Sequence, residues 1–272
     1  MNKKMEFEKI LKDIKLVKIQ GARNVAKASL KAYFLLPLKF SKKRLLDSRP
    51  TEPMMHYVLN LAEKKISHNK ILKHFDEAQT KINQFALKLI KRDNVVFTHC
   101  HSTNVVNFLI NSKKKGKKFE VYNTETRPLL QGRKTAKDLA KAKIKVTMFI
   151  DSALDDVLSG KQGAKKPNLI FLGADALLKK GIINKIGSEL IAKIAKQNKI
   201  PVYVIADSWK FSKKRIPLEQ RNINEVWDNA PKNIKIKNPA FEFVDKKYIS
   251  GIVTEFGLMK YEKFVKSKKD RV

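Results

Sequence analysis

Residues 94–102 read Asn94-Val95-Val96-Phe97-Thr98-His99-Cys100-His101-Ser102, and residues 168–175 read Asn168-Leu169-Ile170-Phe171-Leu172-Gly173-Ala174-Asp175. Both are short apolar runs that break abruptly into polar or reactive side chains. Runs of this length are too short for helices and fit strands buried on both faces. Three more follow the same form: residues 119–122, 146–150 and 202–205. Between the runs, residues 104–111, 136–142 and 185–197 carry helix-compatible patterns. Strand–helix alternation of this kind predicts an α/β fold with a parallel, Rossmann-like sheet covered by helices.

Upstream the texture differs. Phe7, Ile10, Leu11, Ile14 and Val17 recur at the spacing of one helix face, and so do Ile71, Leu72, Phe75, Ile82, Phe85 and Leu89. The stretch between them holds Pro37, Pro50 and Pro53 and reads as loops. A helical N-terminal domain over 1–92 and a Rossmann-like domain over 93–272 are therefore expected.

Composition narrows the functional classes. The 272 residues are 43% hydrophobic, which excludes a disordered chain. No apolar run approaches the roughly 18–20 residues of a membrane span, so no membrane association is expected. Residues 1–18 are charged and periodic, unlike a secretory signal. With one cysteine no internal disulfide can form, and a cytoplasmic location is expected. Basic residues number 59 against 26 acidic, a net charge of +33. Nine of the 59 are arginine and the rest lysine. Nucleic-acid readers rely on the planar arginine fork, so this balance favours a solvated lysine surface with general polyanion affinity. Anionic small substrates gain from the same field.

In open parallel sheets ligands bind at the carboxyl ends of the strands. Here the five runs exit into His99-Cys100-His101-Ser102, Asn123-Thr124-Glu125-Thr126-Arg127-Pro128, Asp151-Ser152, Gly173-Ala174-Asp175 and Asp207-Ser208-Trp209-Lys210. A lone cysteine is commonly a small buried hydrophobe. Cys100, however, stands before a helix starting near Ser102, where helix-end amides favour a thiolate and are expected to lower its pKa. His99 and His101 flank it without the spaced pairs of zinc ligands, so a metal centre is not expected. Asp175 is either a cap for the next turn or a carboxylate tuned by desolvation. Asn184 and Lys185 are expected to open a helix over 185–197, a place to hold an anion. Arginine is scarce, so Arg23, Arg49 and Arg127, all at turns or helix starts, are candidate phosphate ligands. The block 113–118 reads as a solvated turn.

Thr98-His99-Cys100-His101-Ser102, Thr124-Glu125-Thr126-Arg127-Pro128 with Gln131-Gly132, and Gly173-Ala174-Asp175 with Asn184-Lys185-Ile186-Gly187 resemble the archaeal ribose-1,5-bisphosphate isomerases. Arg221-Asn222, Asn238-Pro239-Ala240-Phe241 and Ile252-Val253-Thr254-Glu255 agree with the same family. Its superfamily also holds methylthioribose-1-phosphate isomerase and the alpha, beta and delta subunits of translation initiation factor 2B. The resemblance implies a cofactor-free aldose–ketose isomerisation of ribose 1,5-bisphosphate to ribulose 1,5-bisphosphate in AMP and nucleoside breakdown. It implies Cys100 and Asp175 as the catalytic pair. Phosphate contacts are implied for Gly21, Ala22, Arg23, Arg49, Ser102, Arg127, Asn184, Lys185 and Lys210. Homodimers, or a hexamer built from them, are implied as well. The chain departs from the isomerases at Gln20-Gly21-Ala22-Arg23, where they usually show Arg-Gly-Ala-Gly. The alternative from the same superfamily is a non-enzymatic, initiation-factor-2B-like regulator of translation factors or RNA.

Overall fold

The structure, a computed structural model, describes residues 2–218 and 220–269. Five helices come first: α1 (Lys3–Lys15), α2 (Ala22–Leu35), α3 (Lys39–Ser48), α4 (Pro53–Glu63) and α5 (His68–Ala86). The 37–53 stretch, expected as loops, is instead largely helical. Its prolines punctuate helices: Pro37 and Pro50 follow the ends of α2 and α3, and Pro53 occupies the first turn of α4. Proline is tolerated at a helix start because the missing N–H has no intrahelical acceptor there. Asn2 caps α1 by accepting from Lys4 N–H, and Ser67 caps α5 by accepting from Lys70 N–H. Phe7, Leu11 and Ile14 of α1 join Val25, Leu30, Leu45, Met55, Val58, Ile71 and Phe75 in one buried cluster.

The rest of the chain is strand-rich, with β1 (Asn94–Thr98), α6 (Thr103–Lys114), β2 (Phe119–Thr124), α7 (Gln131–Lys141), β3 (Lys145–Phe149) and α8 (Leu154–Ser159). There follow β4 (Leu169–Leu172), β5 (Ala176–Leu178), β6 (Gly181–Lys185), α9 (Ser188–Gln197), β7 (Val202–Ile205), β8 (Phe241–Asp245), β9 (Gly251–Thr254), β10 (Gly257–Met259) and α10 (Tyr261–Lys269). The main sheet runs β10-β9-β7-β4-β1-β2-β3, parallel except for the β9–β10 pair. Its six parallel strands thus have the doubly wound order, which reverses between β1 and β4.

Period-two alternation sends Val96, Phe171 and Ile205 into a core with Ile82 of α5, Phe108 of α6 and Leu139 of α7. Val95, Phe97, Ile170 and Leu172 point the other way, to Val157 of α8 and Ile191 of α9. Burying a side chain such as Phe97 or Phe171 is worth about 1.5–3 kcal/mol, and a one-residue register slip would force each set into the opposite, differently shaped core. Helix α5 ties the layers together, since Ile71 and Phe75 sit in the first core and Ile82 and Ala86 in the second.

A second sheet, β5-β6-β8, is antiparallel. The expected helix over 185–197 is corrected here: Lys185 ends β6, and α9 begins only at Ser188. Gly187 takes φ +100 between them, a turn that breaks strand from helix. No helix among the described residues is long and apolar enough to cross a membrane.

Candidate active site

Strands β1 and β4 pair in register, Thr98 beside Phe171. Their carboxyl ends deliver Cys100 and Asp175 to the two sides of the switch point. Both line a cavity of about 570 Å³. Of the residues expected at phosphate, Gly21, Ala22, Arg23, Arg49, Ser102, Asn184, Lys185 and Lys210 line it too. Arg127 does not: its guanidinium turns away and donates to the Val226 carbonyl at 3.0 Å. The structure thus does not bring Arg127 together with the other expected phosphate ligands, because strand periodicity places a loop but does not aim the side chains within it.

Three helix starts reach the cavity: α2 at Gly21 and Ala22, α6 at Ser102 and Thr103, and α7 at Gln131. Ser102 caps α6, whereas α2 and α7 have no side-chain cap. Uncapped first-turn amides are suited to anions. Gly173 is required by close approach, since a Cβ there would stand 2.6 Å from the Ser102 side chain.

Cys100 holds a left-handed backbone, φ +64, which is costly for a residue with a Cβ. Two threonines hold it there. The Cys100 N–H donates to Thr126 Oγ1 at 3.0 Å, and its carbonyl accepts from Thr135 Oγ1 at 2.7 Å. Thr126 is itself left-handed, and Asp151 accepts from the Thr126 and Arg127 amides at 2.9 and 2.6 Å. Asp151, at the third strand exit, therefore supports the loop that supports Cys100.

The thiol is not a thiolate. Burial pushes it from 9.0 up to about 11, against the opposing pull of the Lys185 charge and the His101 backbone amide. The expected lowering by the start of α6 is thus overturned, because desolvation outweighs it. His99 is a strut. Its Nε2 lies 2.8 Å from the Ile186 carbonyl, which can only accept, so Nε2 carries the proton and Nδ1 accepts from Thr124 Oγ1 at 2.7 Å. Burial lowers its pKa and keeps the ring neutral.

The β5–β6 hairpin brings Lys185 back to the cavity. Asp175 N–H donates to the Ile183 carbonyl at 2.9 Å, two residues from Lys185. Lys185 and Lys210 are each 6% exposed, unlike the solvated lysines elsewhere. Lys185 Nζ stands 5.3 Å from the Phe241 ring centroid, and Lys210 Nζ donates to the Ala174 carbonyl at 2.6 Å. Lys210 ends a short turn in which Asp207 accepts from Trp209 N–H at 2.9 Å. His74 of α5 stacks on Trp209 with centroids 3.5 Å apart and lies 3.2 Å from Asp207. Arg23 pairs with Asp76 at 2.6 Å and Arg49 with Glu52 at 3.1 Å.

His101, Gln131, Lys134 and Arg221 also line the cavity and were not among the expected site residues. Arg221 had a signal in the scarcity of arginine, and His101 in its place beside Cys100. Gln131 and Lys134 had none beyond the start of a helix. Lys18, Arg23, Arg49, Lys134, Lys185, Lys210 and Arg221 face Glu52, Asp138 and Asp175, so positive charge dominates.

A doubly wound sheet with a cationic cavity at its switch point defines an α/β protein built to hold a small anionic ligand. Residues 22–261 match the initiation factor 2 subunit family, and the chain belongs to it. The ribose 1,5-bisphosphate isomerase of Methanocaldococcus jannaschii is 33% identical over 279 residues, 90% of this chain and 89% of that protein. The methylthioribose-1-phosphate isomerase of Fervidobacterium nodosum is 32% identical, over 91% of this chain and 81% of its own length. Among solved structures, the translation initiation factor eIF-2B of Pyrococcus horikoshii OT3 matches with a TM-score of 0.82 at 24% identity, covering 95% of this chain and 98% of that one. That likeness is one of fold.

Proposed function

We propose that this chain is a sugar-phosphate aldose–ketose isomerase, that its substrate is ribose 1,5-bisphosphate, and that Cys100 and Asp175 are its acid–base pair. The observation that carries this reading is the arrival of both residues, from the strands flanking the switch point, in one cavity rimmed by helix starts and cations. The relatives named as isomerases support the same reaction class.

Isomerisation moves a hydrogen from C2 to C1 and opens the ring. Burial holds Cys100 as a thiol, so it supplies the proton to the ring oxygen as the bond from C1 breaks. Asp175 takes the C2 proton, leaving an enol across C1 and C2. Asp175 then returns the proton to C1, and the C2 hydroxyl proton goes back to the Cys100 thiolate, so the cycle closes. The donors divide between the two phosphates: the α2 start with Arg23 and Arg49, and the α6 start with Lys185, Lys210 and Asn184. AMP and nucleoside breakdown is the expected setting. Leu218, Ile223, Val226 and Trp227 expose apolar surface, which a second copy in a homodimer or hexamer would cover.

The test offers purified protein ribose 1,5-bisphosphate and methylthioribose 1-phosphate separately and follows the ketose by NMR. Turnover of the bisphosphate with the larger kcat/KM is expected. Turnover of neither substrate would remove the enzyme reading and promote a regulatory role like that of the initiation factors.

A further inference from the structure

His101 is half-buried on the cavity wall, beside the α7 start. Its Nδ1 lies 3.0 Å from Thr135 Oγ1. That hydroxyl has one proton and donates it to the Cys100 carbonyl at 2.7 Å. Toward His101 the threonine can therefore only accept, and Nδ1 must carry the ring hydrogen. The other nitrogen, Nε2, is then a lone pair. Among the described residues it has no protein hydrogen-bond partner, and it is not among the side-chain atoms sealed from solvent. His99, two residues earlier, is fixed in the opposite tautomer.

The cavity is rich in donors for phosphate, and its carboxylates are Glu52, Asp138 and Asp175. Asp175 is assigned to proton transfer, Glu52 pairs with Arg49, and Asp138 pairs with Lys134. A carboxylate in the remaining position would repel a phosphate, whereas a neutral imidazole nitrogen accepts a hydrogen bond without charge. We propose that His101 is a specificity-determining residue whose Nε2 accepts a hydrogen bond from a ring hydroxyl of a phosphorylated ribose. Charged neighbours bear on this state from α7: Lys134 opposes protonation and Asp138 favours it. Burial is the largest influence and holds the ring neutral, with the pKa pushed down to about 4.

The assignment rests on the sugar-phosphate reading, and the experiment separates the two. Long-range proton–nitrogen NMR of the imidazoles at neutral pH reads each tautomer, with the His101 signals identified by their loss in His101→Gln. Nδ1–H is expected for His101 and Nε2–H for His99, and the His101 Nε2 resonance is expected to move when ribose 5-phosphate is added. In kinetics, His101→Asn keeps a donor toward Thr135 and deletes the Nε2 acceptor. It is expected to lower kcat/KM for ribose 1,5-bisphosphate about tenfold, the value of one hydrogen bond. His101→Gln places an amide oxygen near the Nε2 position and is expected to recover part of the loss.

An Nε2–H tautomer, or an unmoved Nε2 resonance beside wild-type kcat/KM in His101→Asn, overturns the assignment. Inactive wild-type protein that still shows the tautomer and the ribose 5-phosphate shift overturns the substrate reading and leaves His101 standing.

Discussion

At the scale of the residue, Cys100 joins a left-handed backbone to a thiol that burial keeps protonated. Both are costs of its place at the cavity, and Thr126 and Thr135 offset the first by satisfying its N–H and carbonyl. Thr126→Val leaves the amide without its acceptor. Denaturant unfolding is expected to show a loss of about 1–3 kcal/mol with an unchanged slope. Because the thiolate is the nucleophile, alkylation by iodoacetamide is expected to stay slow through the ordinary thiol range and to rise toward about pH 11. Mass spectrometry across a pH series checks it, and an inflection near 9 would contradict the burial account.

At the scale of elements, the site depends on close backbone passage. A Cβ on Gly132 would lie 1.8 Å from the Thr124 carbonyl, so α7 could not begin where it does. Gly132→Ala is expected to cost at least the ~1–3 kcal/mol of ordinary overpacking, measured as a lower thermal midpoint. The strands at the cavity were legible because each is a short apolar run ended by a polar break, and Leu169–Leu172 and Val202–Ile205 coincide with the expected runs. The second sheet was not. Strand β5 spans three residues, and β6 pairs with β8 more than fifty residues away, a partnership that no local pattern records. Lys185 therefore lines the cavity from the end of β6 and not from the expected helix. The direction of the Arg127 side chain is likewise set by a distant contact, that with the Val226 carbonyl.

At the scale of the molecule, the charge of +33 repels itself and draws anions. Phosphate that binds the folded chain stabilises it by mass action, about 2.7 kcal/mol at a hundred times Kd. A thermal midpoint that climbs with phosphate well beyond the effect of chloride at equal ionic strength is expected. Stability should also be bounded in pH from both sides. The folded state lowers His99 and His101 below 6.5, His101 to about 4, so the unfolded chain binds more protons there and stability falls as pH drops from about 6.5 toward 4. Cys100 is raised from 9.0 to about 11, so the folded state keeps the proton longer and stability falls as pH rises between those values. Equilibrium unfolding across pH 4–11 checks both limbs.

The central claim, that Cys100 and Asp175 act as one acid–base pair, is tested most directly by turnover of ribose 1,5-bisphosphate in Cys100→Ser and Asp175→Asn. Each variant is expected to lose about a hundred- to ten-thousand-fold in kcat while keeping its fold and its affinity for the sugar phosphate. Either variant turning over within a few-fold of wild type would contradict it.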